Sequence, residues 1–132
     1  MTTSAVIHFD GGARPSNPGP AAIGYTIEAK DWSDGGSDHL GKATNNEAEY
    51  RALIRGLEVA SKQGCTEVKA RGDSQLVVRQ VTGDWQTNEP RLRELRDRVQ
   101  ELVEEFETFE IQHIPREENR EADELVEQGF NN

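Results

Sequence analysis

The apolar residues of this chain change their period at about residue 44, and that switch restricts the folds open to it. Before the switch, residues 4–10 (Ser-Ala-Val-Ile-His-Phe-Asp) form a short β-prone run that stops at Gly11-Gly12. Residues 21–29 place Ile23, Tyr25 and Ile27 on one side of a second extended stretch, and a weaker third stretch ends near Lys42. Between the first two, residues 13–20 hold three prolines, a glycine and Asn17, which predicts a tight connection; Asp34-Gly35-Gly36 predicts the next turn. Three meandering strands are expected.

After the switch, Thr44 or Asn45 can cap a helix with Glu47 in its first turn, and Tyr50, Leu53, Ile54 and Leu57 recur at helical spacing. Residues 66–72 alternate as a fourth strand, residues 74–81 form a short helix broken at Gly83, and a longer helix from Arg91 carries Leu92, Leu95, Val99, Leu102, Val103 and Phe106 on one side. Residues 109–114 read as a fifth strand, and residues 119–130 as a last helix with Ala122, Leu125, Val126 and Gly129 inward. The order βββαβααβα predicts an α/β fold, a five-stranded mixed sheet flanked by helices. Strand-to-helix crossovers make strands one, four and five parallel, and sites in such sheets form at the carboxyl ends of the parallel strands.

The length of 132 residues suits one domain, expected to span residues 1–132. No apolar run approaches the roughly 20 residues of a membrane span, and the N-terminus lacks the regions of a secretory signal. A soluble, cytoplasmic monomer is expected. Cys65 stands alone, which excludes an intramolecular disulfide and a cysteine-rich zinc cage; it reads as a small packing residue.

Four carboxylates sit where local sequence would aim them. Asp10 ends the first apolar run, Glu49 borders the stripe of the first helix, Asp73 ends the fourth strand, and Asp123 flanks the inner face of the last helix. Any one of the 25 acids is by default a solvated surface charge. Asp10 and Asp73, however, both stand at carboxyl ends of parallel strands, which is a topological reason to place them together. A Mg²⁺ ion prefers oxygen ligands and is usually held by one or two carboxylates with substrate phosphate. Four acids therefore suit two ions roughly 3.5 to 4 Å apart, the arrangement used for in-line phosphoryl displacement. Packed without metal, they would repel one another and some would take up protons.

Asp10-Gly11-Gly12 with Asn17-Pro18-Gly19, Thr44-Asn45-Asn46 followed by Glu49, Asp73-Ser74-Gln75, and the segment from Asn119 to Asp123 together resemble type 1 ribonuclease H, in order and spacing along essentially the whole chain. The resemblance implies an endonuclease that cuts the RNA strand of an RNA/DNA hybrid with two Mg²⁺ ions, Mn²⁺ often substituting, and leaves 5′-phosphate and 3′-hydroxyl ends. It implies that Asp10 bridges both ions, that Asp123 completes the site of the water-activating ion, and that Glu49 and Asp73 hold the other. It also implies that the backbone of Gly11 and Gly12 and the side chains of Asn17, Asn45 and Gln75 read the minor groove, where ribose displays its 2′-hydroxyl. Thr44 matches a residue that receives a DNA-strand phosphate. The rival readings are a nuclease of the same fold acting on DNA, and a non-catalytic hybrid-binding module.

Two departures from the family pattern stand out. Residues 83–89 leave no room for the basic protrusion many members carry; Trp85 with Arg91, Arg93, Arg96 and Arg98 could replace it, or could simply pack and pair with neighbouring acids. The mobile histidine many members place before the last aspartate has no secure match. His113 falls on the fifth strand, so only Arg116 or Glu117 could play an auxiliary part, and His8 and His39 read as structural or exposed.

The net charge of −10 has the wrong sign for gripping a polyanion by counterion release. Only four of the 15 basic residues are lysine (Lys30, Lys42, Lys62, Lys69). Lysine scarcity with acid excess is the composition expected of a halophilic protein, because at about 1 M salt the screening length falls to roughly 3 Å and acidic self-repulsion is muted.

Overall fold

The computed structural model describes residues 3–131; Met1, Thr2 and Asn132, the ends of the expected single domain, lie outside the described residues. The elements are β1 (Ser4–Ala13), β2 (Gly19–Ala29), β3 (Ser33–Ala43), α1 (Asn45–Lys62), β4 (Glu67–Gly72), α2 (Gln75–Thr82), α3 (Pro90–Val103), β5 (Thr108–His113), a 3-10 turn (Arg116–Glu118) and α4 (Arg120–Phe130). The sheet order is β3-β2-β1-β4-β5. β1, β2 and β3 pair antiparallel, whereas β1, β4 and β5 run parallel, as the crossover argument requires.

One expected strand end and one expected turn fall elsewhere. β1 continues past Gly11-Gly12 because its ladder with β2 persists to Ala13 opposite Ala21, so only residues 14–18 form the connection. Asp34-Gly35-Gly36 lies inside β3, where Gly36 faces Tyr25; a Cβ there would stand 2.7 Å from the Tyr25 hydroxyl oxygen. Glycine serves in that strand for close approach rather than for reversal.

Helices cover the two faces of the sheet. Ile7, Phe9, Ile23 and Ile27 are fully buried in one continuous core with Tyr50, Leu53 and Leu57 of α1 and Val99 of α3. On the same face Gly11 meets α1: a Cβ there would lie 2.5 Å from the carbonyl carbon and oxygen of Ala48. Gly24 follows Ile23 on β2 and therefore faces the opposite way. It receives α4, since a Cβ on Gly24 would lie 2.7 Å from Leu125 Cβ. These two glycines let the helices that carry Glu49 and Asp123 approach the middle of the sheet from opposite sides.

Helix starts follow local chemistry. Thr44 caps α1 in a capping box, its hydroxyl accepting from Glu47 N at 3.1 Å while the Glu47 carboxylate accepts from Thr44 N at 3.2 Å. Ser74 caps α2, and Gly83, with φ of 87°, ends it. The buried Tyr50 hydroxyl donates to Gln80 at 2.7 Å and ties α1 to α2. Cys65 is buried, as a packing residue would be. Among the described residues no helix is long and apolar enough to cross a membrane.

Candidate active site

The parallel ladder between β1 and β4 ends at Phe9 opposite Gly72, while β1 runs on. The next rung would set Asp10 beside Asp73. There β4 turns away toward the Ser74 cap of α2 and leaves a notch, and through this notch side chains from both faces of the sheet can meet. Asp10 contributes from β1, Asp73 from the end of β4, Glu49 from the first turns of α1 and Asp123 from the first turn of α4.

Carboxylate oxygens of Asp10, Glu49 and Asp73 all lie within 4.8 Å of one another. Asp123 lines the same cleft, of about 320 Å³, with Gly11, Gly12, Arg14, Asn45 and Arg116. The Arg116 guanidinium stands 3.9 Å from Asp123. Asp10 and Glu49 are each only 8% exposed. Burial, then the charge of Asp73, pushes the Asp10 carboxyl up to about 7, with Asp123 adding to the rise. Burial, then the charge of Asp10, also raises Glu49 well above the ordinary carboxylate range. Its Oε2 is buried and has no hydrogen-bond partner among the described residues. Crowded oxygen donors, with Asp10 and Glu49 resisting ionisation and one Glu49 oxygen unpartnered, are what a hard divalent cation would relieve.

The other predicted residues divide into two groups. Gly11, Gly12 and Asn45 line the cleft; Asn17 adjoins it through Asn45, whose backbone N donates to Asn17 Oδ1 at 3.0 Å. Asn45 Oδ1 in turn accepts from Ala13 N at 2.7 Å. The two asparagines thus use their oxygens to fasten the β1–β2 connection to α1, and their amide NH₂ groups make no side-chain hydrogen bond among the described residues. Thr44 holds the capping box, exposed Gln75 opens α2, and Glu117 lies in the 3-10 turn, all three outside the cleft lining.

The α3 arginines make local contacts. Arg98 pairs with Glu58 and Glu101, each at 3.3 Å, Arg96 with Asp97 at 3.0 Å and Arg91 with Glu47 at 3.8 Å, while Arg93 donates to Thr87 O at 3.2 Å. Trp85 remains 43% exposed, with the Arg79 guanidinium 6.0 Å from its ring. His113 is on β5, as its pattern predicts.

The sequence did not show the contacts of two residues at or beside the cleft. Arg14 reaches it from the β1–β2 connection, held over the Phe130 ring at 4.3 Å and paired with Glu127. Asn119, adjoining the cleft, is 1% exposed and donates to Asp73 Oδ2 at 3.2 Å. Arg14 carried no local signal, whereas an asparagine four residues before a helix-borne aspartate reads as an ordinary cap.

Residues 8–129 match the family described as "Reverse transcriptase-like". The chain is 47% identical over 126 residues to Ribonuclease HI of Halobacterium salinarum, covering 93% of this chain and 62% of that protein. It spans 34% of the length of the mycobacterial relatives, at 42% identity. The crystal structure of RNase H1 from Halobacterium salinarum superposes with a TM-score of 0.92 at 45% identity, covering 97% of this chain and 98% of the other. That of LC11-RNase H1 in complex with RNA/DNA hybrid gives 0.89 at 40% identity, covering 96% of each. The sheet order and the acidic notch define the ribonuclease H-like class of nuclease folds. Within that class, the chain belongs to the type 1 ribonuclease H family.

Proposed function

We propose that this chain is a metal-dependent endonuclease that hydrolyses the RNA strand of RNA/DNA hybrids, leaving 5′-phosphate and 3′-hydroxyl ends. The observation that carries the reading is the meeting of Asp10, Glu49 and Asp73 within 4.8 Å, in a cleft that Asp123 also lines. A similar fold has been solved with an RNA/DNA hybrid bound. Asp10, Glu49, Asp73 and Asp123 would hold two Mg²⁺ ions, with Mn²⁺ able to substitute. Such a pair, when bound, supplies an activated water and stabilisation of the leaving oxygen in an in-line displacement.

The remaining work falls to the protein. Asp10, which meets Glu49 and Asp73 in the notch, would be among the residues holding the ions, and its reluctance to ionise alone would be reversed by a neighbouring cation. The free amides of Asn17 and Asn45 and the backbone of Gly11 and Gly12 present donors and acceptors suited to a ribose 2′-hydroxyl in the minor groove. Arg14 and Arg116 place positive charge at an acidic cleft, suited to phosphates of the strand being cut, while Gln75 would join Asn17 and Asn45 in reading the groove and Thr44 would receive a phosphate of the DNA strand. The four acids favour catalysis over mere binding, and the unengaged amides of Asn17 and Asn45 near them favour a ribose-containing strand over an all-DNA one. Residues 1–132 are read as a single catalytic domain acting as a cytoplasmic monomer, its acidic surface adapted to high salt.

End-labelled RNA/DNA, RNA/RNA and DNA/DNA duplexes incubated with Mg²⁺, Mn²⁺ or EDTA provide the test. The expected result is metal-dependent cutting of the RNA strand of the hybrid alone, abolished by Asp73→Asn. Equal cutting of an all-DNA duplex, or cutting in EDTA, would overturn the proposal.

A further inference from the structure

We infer that Asn119 is a positioning residue for the carboxylate cluster: its buried carboxamide fixes Asp73 against the end of the β1–β4 ladder while its backbone starts the helix that carries Asp123. The inference rests on the metal-dependent reading of the cleft and extends it to a group that touches neither metal nor substrate.

Asn119 Nδ2 donates to Phe9 O at 2.9 Å and to Asp73 Oδ2 at 3.2 Å. Phe9 precedes Asp10 and forms the last rung with Gly72, which precedes Asp73. The amide therefore spans the place where the next rung would have been and ties the Asp73 carboxylate to the peptide that precedes Asp10. Its backbone carbonyl accepts from Asp123 N at 3.1 Å, and its own N–H donates to Arg116 O at 2.9 Å. One residue thus reaches the peptide beside Asp10, the carboxylate of Asp73 and the first turn beneath Asp123.

Helix capping does not account for this residue. Asparagine is a favoured N-cap because its side-chain oxygen can accept a first-turn N–H. Here the side chain makes no cap hydrogen bond, and Oδ1 is buried with no partner among the described residues. The amide protons go to the cluster instead. A neutral NH₂ group is the fitting donor, since it offers two protons without the positive charge of lysine or arginine, which would compete with a cation, and without the added negative charge of aspartate.

Partners that orient metal ligands typically change metal affinity about 10–100-fold when removed. Mg²⁺ titrated calorimetrically into substrate-free wild type, Asn119→Ala and Asn119→Ser should show a midpoint at least about tenfold higher in both variants. Cleavage of a hybrid by the variants should recover substantially at saturating Mn²⁺, whereas Asp73→Asn should not recover. A folded variant with the wild-type metal midpoint would overturn the inference. In the wild type, the Asn119 side-chain amide signals in an NMR spectrum should exchange slowly and shift as Mg²⁺ is added; signals indifferent to metal would overturn it even if both variants failed to fold. A wild type that binds Mg²⁺ yet cuts no hybrid would refute the proposed activity and leave the role of Asn119 standing. Wild-type cutting with an unchanged variant midpoint would do the reverse.

Discussion

Asp10→Asn should make the metal-free protein more stable, because Asp10 resists ionisation in its folded surroundings. Its carboxyl is raised from 3.8 to about 7, first by burial and then by the charge of Asp73. A raised folded value means that stability is fully present below pH 4 and is lost as pH climbs through about 7. The gap, at about 1.36 kcal/mol per pH unit, amounts to about 4 kcal/mol of destabilisation at pH 8 and roughly 1.5 kcal/mol at pH 5. Asparagine cannot ionise, but it forfeits a hydrogen-bonding oxygen worth about 1 kcal/mol. A net gain of about 2 to 3 kcal/mol at pH 8 follows, or roughly 10 °C in Tm for a domain of this size. Thermal unfolding in EDTA at pH 5 and pH 8 measures it. Added Mg²⁺ should then raise the wild-type Tm more than that of the variant. A variant no more stable than wild type at pH 8, or one whose advantage is the same at both pH values, would refute the reasoning.

Gly11→Ala should be damaging twice over, because the new methyl would stand 2.5 Å from the Ala48 carbonyl group and push α1, with Glu49, off β1. Overpacking of this kind costs about 1–3 kcal/mol, and urea unfolding together with a kcat reduced by at least about tenfold would register it. Arg14→Ala should raise KM for a hybrid with little change in kcat, and should lower the slope of log binding constant against log salt by about 1. An unchanged slope would remove Arg14 from the phosphate contacts. The unfolding midpoint should be higher in about 3 M than in about 0.1 M KCl, since screening weakens repulsion on a chain of net charge −10; equal midpoints would end the halophilic reading.

Much of the architecture was legible because it is locally encoded. The helical spacing of Tyr50, Leu53 and Leu57 and the alternation through Val68, Ala70 and Gly72 identify α1 and β4 before any partner is known. Capping by Thr44 and termination at Gly83 are likewise properties of a few adjacent residues. Where glycines were read as stops, the reading failed at Gly11-Gly12 and at Gly35-Gly36, because a glycine needed for close packing looks the same in sequence as one needed for a turn. The roles of Asn119 and Arg14 stayed hidden for a related reason: Asn119 donates to a carbonyl 110 positions away, and Arg14 rests on a ring near the other end of the chain.

The order of strands and helices can be read along the chain, and so can the candidacy of the four acids, since periodicity, capping and charge are written in neighbouring residues. That β4 stops at Gly72 while β1 runs on, opening the notch where acids from both faces of the sheet converge, emerges only once the strands have paired. The raised Asp10 carboxyl arises there and nowhere earlier, because desolvation and the nearness of Asp73 depend on distances through space that no stretch of chain contains alone.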